Sequence, residues 1–164
     1  MQQFIDFLIP DRLDRVLFVF GAGVGAAVDF LYGGWSAGLT WLGCLALADF
    51  VTGSIAAWQG HAWSSDAGAT GVRRKVVLWV FVAIAHGIDV TLAEAGFTAL
   101  SFMSITVIAL TVTEAGSIVE NIDRMGNGKF VPPVIRRGLK AAQRVVDEKV
   151  DKSFGEEEKK DGQA

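Results

Sequence analysis

Apolar residues fall along this chain in four long blocks, residues 16–34, 39–58, 76–93 and 97–119, and every basic residue lies outside them. No Lys or Arg occurs in the 57 residues from 16 to 72, nor in the 48 from 76 to 123. A helix needs about 20 apolar residues to cross a hydrocarbon core of roughly 30 Å, so each run has the length of a helical hairpin. None of the three prolines interrupts a block, and four unbroken helices are expected. Short links at 35–38 and 94–96 close the hairpins. A polar loop at 59–71, with His61, Ser64, Ser65 and Asp66, joins them.

Charge gives the arrangement a direction. The fifteen basic residues sit in three places: Arg12 and Arg15, the cluster Arg73, Arg74 and Lys75, and ten from Arg124 onward. Two hairpins put all three on one face, and positive charge beside span ends is retained in the cytoplasm. The sequence therefore predicts an all-α, polytopic membrane protein with four transmembrane helices and both termini inside. Residues 1–15 read as an interfacial segment, 16–122 as the transmembrane domain, 123–154 as a linker and cytoplasmic helix, and 155–164 as a charged, disordered tail. A cleavable secretion signal fits the first block poorly, because apolar residues continue past Asp29 and three acids precede the block. The formal net charge of −3 and mean hydropathy of +0.39 add little once the charges are placed.

The C-terminal helix is amphipathic: Ile135, Leu139, Ala142, Val146 and Val150 recur at helical spacing among Arg136, Arg137, Lys140, Arg144 and Lys149. Such a stripe suits an anionic bilayer surface or a second copy of itself. Gly21 and Gly25, four apart in the first block, give a smooth face for helix packing, and Gly53 and Ala57 do the same in the second.

Ionisable residues inside the blocks are the unusual feature: Asp29, Asp49, His86, Asp89 and Glu114. A carboxylate at the midplane costs about 2.5 to 3.5 kcal/mol on insertion scales, so these groups should face a helix interface or water. Asp49 and Thr52 share one helical face with Gly53 beside them, and His86 and Asp89 share another. They suit a wet path or a proton relay; the plainer alternative is a hydrogen bond to a neighbouring helix. Nothing points to an enzyme. The glycines at 21–25 lack the strand and helix of a phosphate loop, the two histidines stand apart, and Ser64 and Ser65 have no base placed to activate them. No cofactor, metal or nucleic acid is expected; the cluster Arg73 to Lys75 suits lipid phosphates and orientation. Cys44 is alone, so it has no intramolecular partner.

Four ordered pieces resemble one family. Asp49-Phe50-Val51-Thr52-Gly53 with Ala56 and Ala57, then Ser64, Ser65, Gly68, Gly71 and Lys75, then Asp89, then Glu114, Ser117, Ile118, Glu120 and Asn121, are similar to elements of the phage lysis holins related to clostridial toxin-secretion holins. The resemblance covers residues 45–133. It implies a non-enzymatic protein that accumulates in the host inner membrane, forms homo-oligomeric lesions and lets out an endolysin without stable contact to it. An antiholin partner is a further implication. An ion or proton channel, a transporter subunit, or an antiholin itself is the alternative reading.

Overall fold

The computed structural model describes residues 12–62, 64–97 and 101–161, with the backbone alone at 12, 13, 67, 150 and 152–161. The interfacial reading of residues 1–11 lies outside it, as do 98–100 within the fourth predicted span and 162–164 of the tail. Two compact units divide the chain, Met1–Trp35 and Ser36–Ala164, and each is described by itself.

The first unit contributes α1, Arg12–Tyr32. Open space surrounds the Cβ positions of Gly21 and Gly25, and Asp29 is exposed. The second contains α2 (Ala37–Gln59), α3 (Ser65–Glu94), α4 (Phe102–Arg124), a 3-10 turn (Gly128–Phe130) and α5 (Pro133–Asp161). The described residues are helical with no strand, and α1 to α4 each carry a segment long and apolar enough to cross a membrane: Asp14–Tyr32, Ala37–Gln59, Gly68–Glu94 and Phe102–Arg124.

Within the second unit α4 is the hub. It packs most extensively on α2, then on α3 and α5, while α2 and α3 touch each other sparingly. Side-chain neighbours fix the directions. Gly38 lies beside Val107 and Gly53 beside Asn121, so α2 and α4 run parallel; Gly43 lies beside Trp79 and Gly71 beside Phe50, so α3 runs against them. This is the up-and-down order that short links between consecutive spans enforce.

The buried positions recur every three and four residues. Leu39, Leu42, Ala46 and Ala56 mark one face of α2, Leu78, Val82 and Ala85 one face of α3, and Val107, Glu114 and Asn121 stand seven apart on α4. Such spacing keeps a single seam in contact along helices that cross at a shallow angle. Large apolar residues such as Leu47, Val51, Phe81 and Ile84 point outward on these same helices. In water that surface would aggregate. Lipid is the solvent it fits, because apolar contact with acyl chains carries no penalty.

The helix ends differ from the sequence reading in three places. First, α3 starts at Ser65, so much of the predicted loop at 59–71 and all of the basic cluster are helical. Asp66 in its first turn complements the helix dipole, and Arg73 Nε donates to the Ala69 carbonyl oxygen. Second, α3 ends at Glu94, where Gly96 takes a φ of 87° that glycine adopts without strain. The next helix begins at Phe102 rather than at 97, and it continues to Arg124 rather than 119. Third, α5 stays helical through Asp161, although residues 155–164 read as disordered. Glu156 to Glu158, Lys159 and Lys160 are all strong helix formers, and an established helix extends through them at little cost.

The apolar stripe on α5 is covered in part, with Ile135 48% exposed and the Val150 side chain outside the described residues. α5 packs against α4, and its half-buried residues Leu139, Ala142 and Val146 follow the predicted spacing. Arg136 anchors the contact, donating to both carboxylate oxygens of Asp123 at 2.7 and 2.5 Å and to the Gly128 carbonyl at 3.1 Å. That hydrogen bond to Asp123 raises the guanidinium pKa above its ordinary value.

Candidate functional site

Lys75, Asp49 and Glu114 meet in the seam between three helices. On α2, Asp49 continues the face set by Leu42 and Ala46; on α4, Glu114 lies midway between Val107 and Asn121; on α3, Lys75 is one turn before Leu78. Lys75 Nζ donates to Asp49 Oδ2 at 2.7 Å and to Glu114 Oε2. One ammonium therefore ties two carboxylates, joining α3 to both of the parallel helices. All three groups are withdrawn from the surface, with side-chain exposures of 19% for Lys75, 19% for Asp49 and 9% for Glu114.

Asn121 completes the cluster from α4. Its amide nitrogen faces Asp49 Oδ1 at 2.9 Å, the Asp49 carbonyl at 3.2 Å and Thr52 Oγ1 at 3.1 Å. Thr52 accepts from it while donating to the Ala48 and Asp49 carbonyls at 2.9 and 3.1 Å. Gly53 makes room for this amide, since a Cβ there would lie 3.3 Å from Asn121 Nδ2. Glu114 and Asn121 are the buried polar residues among those described, and no buried side-chain polar atom there is left without a partner. Saturation of this kind matters in a bilayer, where an unmet polar group has no water to fall back on.

Beside the cluster, a cleft of about 510 Å³ opens between α2, α3 and α4. Ala57, Ser54 and Gly53 line it from α2, Arg74 and Lys75 from α3, and Ser117, Glu120 and Asn121 from α4. The sparse contact between α2 and α3 leaves this space. It brings a polar opening up to the ion-paired groups from one end of the bundle.

The structure thus gathers Asp49, Thr52, Gly53, Glu114 and Asn121, places Ala57, Ser117, Glu120 and Arg74 on the adjoining cleft, and sets Asp89 apart. Asp89 caps α4 from the end of α3: Phe102 N and Met103 N donate to its two oxygens at 2.6 and 2.9 Å, and Ser101 Oγ donates to Oδ2 at 3.0 Å. A carboxylate on exposed amides at a helix start satisfies groups that have no intrahelical partner. Asp89→Ala should therefore loosen the 94–102 link at a cost of about 0.5 to 2 kcal/mol, the usual value of a lost cap. Limited proteolysis in detergent should show faster cutting in this link and an otherwise unchanged fragment pattern. His86 is half-buried on α3 and joins neither group. Arg73 bonds within its own helix, to Thr70 Oγ1 as well as to Ala69.

Sequence reasoning missed Lys75 as the partner of Asp49 and Glu114, because it treated the basic cluster as a loop. The spacing held the signal: Lys75, Val82 and Asp89 stand seven apart, as do Val107, Glu114 and Asn121. A cation in register with the buried stripe of its own helix belongs to the interior and not to the loop.

Comparison with known proteins bears on what this constellation serves. A family model described as the bacteriophage holin family matches residues 26–144, a stretch that contains every residue of the cluster and of the cleft. An uncharacterised protein of Halalkalibacterium halodurans is 45% identical over 107 residues, covering 64% of this chain and 78% of the relative. One from Listeria monocytogenes is 32% identical over 123 residues, covering 74% and 84%, and one from Listeria innocua is 33% identical over 114 residues, covering 70% and 77%. No solved structure matches. With four helices able to span a bilayer and a family match over most of its length, this multi-pass protein of the bacterial inner membrane belongs to the bacteriophage holin family.

Proposed function

We propose that this protein is a lysis holin whose copies accumulate in the host inner membrane and then assemble into lesions that release an endolysin. The Lys75–Asp49–Glu114 cluster carries the reading. A passive anchor has no use for three charged groups in its helical seam, whereas a protein that exists in two packings does. In the compact bundle the ammonium is shared by two carboxylates away from lipid. In an oligomeric opening the same three groups line water, where each is solvated without the others. Separating α2 from α3 exchanges one state for the other, and their sparse contact keeps that step small.

Assembly draws on the rest of the chain. Gly21 and Gly25 offer α1 a smooth face for a second copy, and the basic residues place both termini in the cytoplasm. Crowding in the membrane favours the oligomer by mass action. The membrane potential adds a bias, since one charge moved fully across about 100 mV changes energy by about 2.3 kcal/mol. Neither an antiholin nor an endolysin needs to touch the protein for this scheme to work.

Induction in a bacterial host provides the test. Growth should stop abruptly at a reproducible time, and a co-expressed cytoplasmic muralytic enzyme should appear in the medium from that moment. Continued growth at high membrane levels of the protein would exclude the lysis reading. Selective ion flux without escape of the enzyme would favour the channel reading instead.

A further inference from the structure

Beside the half-buried Leu139, Ala142 and Val146, α5 presents a second stripe that the first one hides in the sequence. Val134, Gly138, Ala141 and Val145 recur at spacings of four, three and four residues, and all are exposed, Val134 at 69% and Val145 at 61%. Phe130, in the turn before the helix, is 71% exposed with Lys129 Nζ 5.3 Å from its ring. From 124 to 146 the chain carries six cations and no acid. Arg136 is engaged by Asp123, which leaves Arg124, Lys129, Arg137, Lys140 and Arg144, all exposed. A small apolar strip beside basic residues is thus held a few residues past the end of a membrane span.

We infer that this outer face of α5, with Phe130 and Lys129, docks on the anionic phospholipid surface of the membrane that α4 spans. Two observations choose that occupant. The face continues directly from a helix already in the bilayer, so no diffusional search precedes contact. Between Phe130 and Val145 its free charge is all of one sign, and the acids Asp147, Glu148 and Asp151 follow only beyond the strip. A second copy of this stretch would therefore set cation against cation, while anionic headgroups neutralise it. Valine side chains and the Phe130 ring then enter the headgroup boundary, and Arg and Lys stems lie along it with their charges outward. This docking does not depend on lesion formation.

Full-length protein carrying Cys44→Ser and Val145→Cys, labelled with an environment-sensitive fluorophore, is reconstituted in phosphatidylcholine vesicles with and without phosphatidylglycerol. Emission should shift to the blue and be quenched by lipid-borne nitroxides only when phosphatidylglycerol is present. Added salt should reverse the shift, because exposed charges are screened within about 10 Å at 0.1 M ionic strength. Each of Arg137→Gln and Arg144→Gln should lower the docked-to-free ratio about fivefold, the equivalent of about 1 kcal/mol per cation. Identical emission in the two lipids would overturn the inference. So would a shift that grows with the protein-to-lipid ratio alongside disulfide-linked dimers of a Val134→Cys chain, which would identify a second copy as the occupant. The salt reversal is read on a chain that keeps all its basic residues, so the outcome stands even where a charge variant folds poorly.

Discussion

Lys75→Met should destabilise the bundle more than any other single change considered. The substitution keeps the stem of the side chain and removes the ammonium that holds Asp49 and Glu114. Two carboxylates then share the seam without a cation. Removing one partner of a buried pair typically costs about 3 to 5 kcal/mol, most of it the cost of leaving the other charge unpaired. The variant should accumulate poorly in the membrane, or lyse early at equal levels because the compact state has lost its tie. Either result is read from quantitative blots set beside growth curves. The decisive comparison adds Asp49→Asn and Glu114→Gln to Lys75→Met, which removes all three charges. If this triple variant recovers membrane level and unfolding midpoint in detergent toward the parent, the charge imbalance was the cause. If Lys75→Met alone behaves as the parent does, the cluster contributes nothing and the two-state scheme built on it fails.

Asn121→Ala should have the next largest effect, at about 1 to 3 kcal/mol. Its amide faces three acceptors on α2, and losing it strips Asp49 and Thr52 of a buried partner. Single interhelical hydrogen bonds in membranes average about 0.6 kcal/mol, so the two N–H groups shared among these three acceptors lead toward the lower end of that range. Gly53→Ala works from the opposite side, placing a methyl 3.3 Å from that amide and forcing it to shift. The two changes are coupled: once Asn121 is Ala, the added methyl meets empty space. The double variant should therefore be less destabilised than the sum of the singles, by about 0.5 kcal/mol or more. Additive losses in a detergent unfolding assay would mean that Gly53 and Asn121 act independently.

The spans were legible in the sequence because lipid imposes a length and forbids charge on the outer face, and both constraints appear in the two long runs without Lys or Arg. Asp49 and Glu114 were legible as interior residues for the same reason, whereas Asn121 lay past the predicted end of the fourth span and stood out only as part of the family-like motif. Two things were not. Gln59 to Gly71 looks like a loop by composition, yet Asp66 at the N-terminus and Arg73 bonding back to Ala69 allow α3 to begin a turn and more before its apolar part. Lys75 was hidden by its neighbours, since adjacent basic residues read as a block although successive helical residues point about 100° apart. Asp89 reads in the sequence as a candidate for a wet path or relay, or as a carboxylate bonded to a neighbouring helix; its partners are Ser101 and two backbone amides, and the amides carry no mark in the sequence. The second stripe of α5 escaped notice for a related reason. It is built from Gly and Ala as much as from Val, and the partial burial of the first stripe is what reveals it.

The hub position of α4 also has a consequence for how the protein is made. Helices emerge from the ribosome in the order of synthesis, so α2 and α3 reach the membrane ahead of α4. Those two have few contacts with each other. Among those contacts is the bond between Lys75 and Asp49, which lets a cation and an anion enter the bilayer as a neutral couple. Glu114 and Asn121 arrive afterwards on the helix that closes the fold. Until α4 joins them, α2 and α3 are therefore an open pair of helices without their central one, and the fold of this unit closes only with its last span.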